Sequence, residues 1–163
     1  MTLQKEKIEE LLVLYGDMVL RVAYTYLKSK SDAEDIVQDV FLHIMEKCPE
    51  FNDDKHEKAW IIRVTVNMCK NKLNLFWNRN KCPIDDIKNI SAYDSHDTDG
   101  NVLKSVMQLP DKYRIAVYMR YYEGYSTPEI AHIIGKSDTA VRSYLHRARN
   151  KLKEMLKEEY DFE

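Results

Sequence analysis

The sequence predicts an all-α chain of two small helical domains, residues 3–76 and 102–158, joined by a flexible linker over 77–101. Three observations carry this. Only four glycines and four prolines occur among 163 residues, too few for the turns of a β-rich fold, whereas Leu, Lys, Glu, Met and Arg, all good helix formers, are plentiful. Apolar residues recur at helical spacing in both halves. Between about Trp77 and Asn101 that periodicity fails and Asn, Asp, Ser, Pro and Gly accumulate, a structureless length that compact domains rarely contain.

The first element is an amphipathic helix, because Ile8, Leu11, Leu12, Tyr15, Val19, Val22, Ala23 and Tyr26 fall on one face. Ser31 with Glu34 three residues later reads as a capping box for a second helix, striped by Ala33, Ile36, Val37, Val40, Phe41, Ile44 and Met45 and stopped by Pro49. A short polar stretch, 51–57, precedes a third helix. Its apolar stripe is Trp60, Ile61, Val64 and Met68, and its other face carries Arg63, Asn67, Lys70 and Asn71. Trp60, lying on the stripe, is expected to pack in the core rather than stack on bases.

Beyond the linker, Val102–Gln108 forms a short helical turn, and Pro110 opens a helix through Tyr122 that Glu123-Gly124 closes. Ser126-Thr127-Pro128-Glu129 is another capping box, opening a helix with Ile130, Ala131, Ile133 and Ile134 as its buried face and Gly135 as its stop. Ser137 then caps a last helix striped by Val141, Leu145, Ala148, Leu152 and Leu156. Helix, three-residue turn, basic helix is a helix-turn-helix, whose second helix normally enters the major groove of DNA. On that helix Arg142, Ser143, His146 and Arg147 lie off the stripe and can hydrogen-bond base edges or phosphates, while Arg149, Lys151 and Lys153 suit the DNA backbone.

A net charge of −2 hides strong segregation. From Ser31 to Glu57 nine acids face two lysines; from Ala59 to Ile84 five bases stand without an acid; Lys136 to Lys157 holds seven bases against two acids. Cys48, Cys69 and Cys82 show no C-x-x-C and no nearby histidine pair, so free thiols are expected, with no metal and no cofactor. No charged-then-apolar leader and no 18-residue apolar run is present, which points to a cytoplasmic protein. His43 and His132 are expected as packing or surface residues.

Three segments of the carboxy-terminal half, Leu109-Pro110-Asp111-Lys112-Tyr113-Arg114, Tyr125 to Ala131, and Val141-Arg142-Ser143-Tyr144-Leu145-His146-Arg147-Ala148-Arg149, together resemble region 4 of extracytoplasmic-function sigma factors of the sigma-70 family. In the amino-terminal half, Asp32-Ala33-Glu34-Asp35-Ile36-Val37-Gln38-Asp39-Val40-Phe41 is similar to their region 2.2, and Ala59 to Asn67 to their region 2.3 and 2.4 helix. The resemblance implies a non-enzymatic protein that carries core RNA polymerase, through its β′ clamp coiled coil and β flap, to particular promoters.

It further implies that Asp35, Gln38 and Asp39 meet the β′ coiled coil, that Arg63, Asn67, Lys70 and Asn71 meet the opened minus-10 element, and that Arg142, Ser143, His146, Arg147 and Arg149 meet the minus-35 duplex. Asn67 occupies the position that in relatives accepts a flipped base, for which a carboxamide, both donor and acceptor, is suited. Many relatives carry Arg or Lys where Tyr144 stands. An anti-sigma factor, often a membrane protein, is the implied regulator. A stand-alone helix-turn-helix regulator leaves the region 2 likeness unexplained, and a nuclease lacks clustered carboxylates on the basic surface.

Overall fold

The computed structural model describes residues 2–47, 49–79 and 100–160. Within these ranges all regular structure is helical. Two compact units divide the chain, with the boundary between Ile90 and Ser91. The linker expected over 77–101 falls mostly on residues 80–99, outside the described residues, as do Cys48 and Cys82.

The first unit is three helices, α1 (Thr2–Leu27), α2 (Lys30–Lys47) and α3 (Asp54–Arg79), each packed on the other two. Leu11, Tyr15, Met18, Val19, Val22, Ala23 and Tyr26 of α1 meet Ala33, Ile36, Val40, Phe41 and Ile44 of α2 in the core. Leu12 and Met45, expected inside, are substantially exposed because they sit at the rims of their stripes. The α1–α2 corner is tight: Lys28 takes a left-handed conformation, φ 58°. Ser29 then caps α2, its Oγ accepting from the Asp32 N–H at 3.2 Å and its carbonyl from the Ala33 N–H. The cap expected at Ser31 therefore falls two residues earlier in the structure, since the corner leaves only Lys28 and Ser29 between the helices.

Asp53 caps α3, its Oδ1 accepting from the His56 N–H at 2.7 Å. The buried face of α3 is Ile61, Ile62, Thr65, Val66 and Cys69, not the expected Trp60–Ile61–Val64–Met68 stripe. Packing against two helices widens the buried arc and turns it toward positions 62, 65, 66 and 69, leaving Val64 and Met68 half-buried. The Thr65 hydroxyl is accommodated there by donating to the Ile61 carbonyl at 2.7 Å, one turn back.

Burial pushes the Cys69 thiol up to about 12, with the nearby Lys72 ammonium acting weakly in the opposite sense. A thiol that is protonated at neutral pH and shut from solvent is a poor nucleophile. Native protein near neutral pH is expected to leave Cys69 unmodified by iodoacetamide, with labelling appearing only in denaturant; peptide mapping that found rapid native labelling would contradict this burial.

The second unit contains α4 (Gly100–Met107), α5 (Asp111–Val117), a π-helical turn (Tyr118–Tyr122), α6 (Thr127–Ile134) and α7 (Asp138–Tyr160). Its core gathers Met107, Leu109, Tyr113, Ile115, Ala116, Met119, Ile130, Ile133, Ile134, Val141, Leu145 and Ala148. Arg114 is buried too, donating from Nη1 to the Leu109 carbonyl at 2.7 Å and so tying α5 to the end of the preceding segment. The helix expected from Pro110 to Tyr122 is α in its first half and π in its second. The wider turn closes with the Glu123 N–H on the Tyr118 carbonyl and leaves Tyr121 and Tyr122 exposed.

Both halves of the expected capping box at Ser126 and Glu129 form. Gly135 ends α6 at φ 72°, a conformation that costs a side-chain-bearing residue about 1 kcal/mol or more. Ser137 Oγ accepts the Ala140 N–H at 3.1 Å and starts α7.

Candidate nucleic-acid and polymerase interfaces

In the first unit the charge segregation becomes two helix faces. On α2, Asp35, Gln38 and Asp39 are all exposed, and Leu42 and Glu46 continue the same face at helical spacing. Leu42 is 54% exposed, so this face is a row of acids around an apolar centre. The acidic start of α2 is bridged to α3 by Lys72, whose Nζ lies 3.6 Å from both Asp32 Oδ1 and Asp35 Oδ2.

At about 100° per residue, Arg63, Asn67, Lys70 and Asn71 share one side of α3, opposite its buried face. Arg63, Asn67 and Asn71 are exposed and Lys70 is half-buried. Beside the start of α3, Trp60 is half-buried rather than interior: its ring stacks on His43 at 6.1 Å and meets Phe51 at 5.4 Å, and Phe51 in turn stands edge-on to His56. This aromatic group joins α2 to the 51–53 corner. It was not legible in the sequence, because Phe51 lies outside any periodic stretch.

In the second unit, Val141, Leu145 and Ala148 fix the orientation of α7 by burying one face. Ser143, His146 and Asn150 then lie opposite, with His146 and Asn150 in hydrogen-bond contact at 3.3 Å. The other predicted residues divide between two flanks. Arg142 pairs with Asp138 one turn earlier at 2.9 Å, and Arg149 Nη1 donates to the Tyr121 hydroxyl of the π-helical turn at 2.9 Å.

Arg147 belongs to the opposite flank, with Tyr144 and Lys151. There its side chain acts on the Tyr113 phenol; Arg147 first, and then the charges of Lys112 and Lys151, hold the phenol below its usual pKa against the opposing effect of burial. The Tyr113 and Tyr144 rings meet at 5.7 Å, and Lys112 Nζ lies 5.3 Å from the first and 5.5 Å from the second. Lys112 thus places a positive charge beside the Tyr144 ring.

Lys112 and Tyr113 were not singled out as site residues from the sequence. They lie on α5, some thirty positions before α7, and only packing of α5 on α7 brings them to Arg147. The one available signal was their place inside the Leu109–Arg114 motif.

Comparison with known proteins agrees with this arrangement. Residues 11–75 match the family model described as "Sigma-70 region 2" and residues 100–152 that described as "Sigma-70, region 4", together more than two thirds of the chain. The ECF RNA polymerase sigma factor SigW of Bacillus subtilis is 21% identical, covering 94% of this chain and 91% of that protein. SigM of Mycobacterium tuberculosis, also named an ECF RNA polymerase sigma factor, is 28% identical over 83% of this chain and 70% of that protein. Among solved structures, the sigma factor RpoE of Bartonella quintana, in complex with the anti-sigma factor NepR, shares the fold with a TM-score of 0.71 at 22% identity, covering 93% of this chain and 98% of that one. CnrH, in complex with the cytosolic domain of CnrY, gives 0.64 at 22% identity, covering 94% and 89%. With both diagnostic regions matched in order and relatives of the same kind aligned along nearly its whole length, this chain belongs to the extracytoplasmic-function group of the sigma-70 family.

Proposed function

We infer that this protein is a sigma factor that brings core RNA polymerase to a specific set of promoters, reading the minus-35 element with its second unit and the minus-10 element with its first. The observation that carries this reading is the pairing, in one chain, of an exposed acidic face on α2 with a capped helix-turn-helix whose last helix exposes Arg142, His146, Arg147 and Arg149. Asp35, Gln38 and Asp39 engage the β′ coiled coil, and the β flap is the second polymerase contact. Arg63, Asn67, Lys70 and Asn71 engage the opened minus-10 strand. Arg142, Ser143, His146, Arg147 and Arg149 engage the minus-35 duplex.

The division of labour follows from chemistry. Arginine reaches guanine bidentately in the major groove, whereas lysines along the same helix act on phosphates and set the salt dependence. Minus-10 bases are reached only once the duplex opens, at about 1.4 kcal/mol per stacked step. Polar groups on the cationic face of α3 offset part of that. The polymerase supplies the catalysis, so this protein is not itself an enzyme and requires no cofactor or metal.

It works in the cytoplasm, and no helix among the described residues is long and apolar enough to cross a membrane. An anti-sigma factor is its regulator, by analogy with the complex in which the RpoE structure was determined, and such a partner, if membrane-bound, would hold it at the membrane.

Run-off transcription on a genomic fragment library with purified core polymerase, with and without the protein, tests the reading. New starts that share two spaced sequence elements are expected; an absence of core association and of new starts would refute it. Asn67→Ala is expected to reduce open complexes about tenfold, the loss of one base contact worth about 1–3 kcal/mol, while binding to a minus-35 duplex is unchanged. Permanganate footprinting of the minus-10 thymines reads the first and a gel shift the second.

A further inference from the structure

We propose that Lys72 masks one of the polymerase-facing acids, an internal cation that holds the Asp35 carboxylate until a cation of the polymerase takes its place. The proposal rests on the reading of Asp35 as a core contact and adds a control on it. Lys72 is one of the bases on α3 that composition groups with the DNA-binding set. The fold separates it from them: at about 100° per residue it lies on the side of Thr65 and Cys69, nearly opposite Asn67. From there its Nζ reaches across to α2, 3.6 Å from Asp35 Oδ2 and 3.6 Å from Asp32 Oδ1. The Cys69 thiol, one turn earlier, also feels its charge.

These side chains are partly solvated, 34% exposed for Lys72 and 60% for Asp35, so the pair is weak and exchangeable. Weakness is what a displaceable partner needs. While Lys72 sits on Asp35, the site competent for an external ammonium or guanidinium is only fractionally populated, and apparent affinity falls by that fraction. When an external cation takes Asp35, Lys72 keeps Asp32 as its partner and is not stranded. A ligand offering a single positive charge gains little against Lys72, whereas a surface that also engages Gln38, Asp39 and Leu42 displaces it.

The test is association of the full chain with core polymerase, by fluorescence anisotropy, at about 50 mM and about 0.5 M salt, where screening lengths differ severalfold. Lys72→Met is expected to bind core about two- to fivefold more tightly at low salt, with the gain lost at high salt. Lys72→Arg should restore wild-type affinity, a rescue that a mere packing role for the methylene stem would not require. Combined with Asp35→Ala, the Lys72→Met substitution should no longer change core affinity. Asp32→Asn, which leaves Lys72 to Asp35 alone, should weaken core binding and provides a second reading if Lys72→Met lowers the melting temperature. Unchanged or weaker core binding by a folded Lys72→Met protein, with Asp35→Ala still defective, would overturn the proposal and leave the core-contact reading standing. If Asp35→Ala itself binds core normally, both fall together.

Discussion

The Asp35→Ala, Asp39→Ala double variant is expected to lose new transcription starts almost completely, through a fall in core affinity on the order of a hundredfold. Both carboxylates lie on the exposed face of α2, one turn apart. A hydrogen bond to a charged group contributes about 1.5–3 kcal/mol, and two at the lower figure make about 3 kcal/mol, or roughly two decades in Kd. Neither residue is part of the buried core, so thermal melting and minus-35 duplex binding should stay near wild type. Increasing salt should weaken the wild type toward the variant, because solvated charges are screened. Titration of core polymerase with labelled protein checks the outcome, and an undiminished affinity would remove α2 from the polymerase interface.

The second large effect concerns promoter choice. Arg147→Ala is expected to cost about 1–3 kcal/mol on the matched minus-35 element and little on scrambled DNA, relaxing base preference. Lys153→Ala, further along α7 and exposed, should weaken all sequences alike and reduce the salt slope by about one. The structure adds a neighbour to the first variant: Arg147 interacts electrostatically with the Tyr113 phenol. Tyr113→Phe keeps the buried ring and removes the hydroxyl with which Arg147 interacts, so part of the Arg147→Ala loss of discrimination should reappear in it. Competition gel shifts on matched and scrambled duplexes measure all three. Equal losses on both duplexes for Arg147→Ala would sink its assignment as a reading residue.

How the recognition helix is presented illustrates what a linear reading reaches. Ser126, Glu129, Gly135 and Ser137 announce their roles because caps and left-handed turns are local chemistry, set by residues within a few positions of each other. Of the stripe Val141, Leu145, Ala148, Leu152 and Leu156, the first three are buried as their spacing predicts and the last two, further along α7, are half-buried. Where two local signals compete, the tertiary corner decides: Ser29 and Ser31 can each cap α2, and the left-handed Lys28 selects Ser29.

Periodicity also misplaces a face when a helix has more than one neighbour. On α3 the apolar pattern suggested Trp60, Val64 and Met68 as interior, yet α1 and α2 together cover Ile62, Thr65, Val66 and Cys69. Trp60 is displaced to a half-buried position against His43 and Phe51. The helical class, the order of the elements, the helix-turn-helix and the segregation of charge could all be read from the linear chain, since each depends on residues close together in it. Folding in three dimensions was needed to bring Lys72 to the acids of α2 rather than to the cationic face of α3, to gather Tyr113 and Lys112 at Arg147, and to set Tyr121 against Arg149. Those contacts join helices far apart in sequence, and a side chain's partner there depends on crossing geometry, which no local pattern encodes.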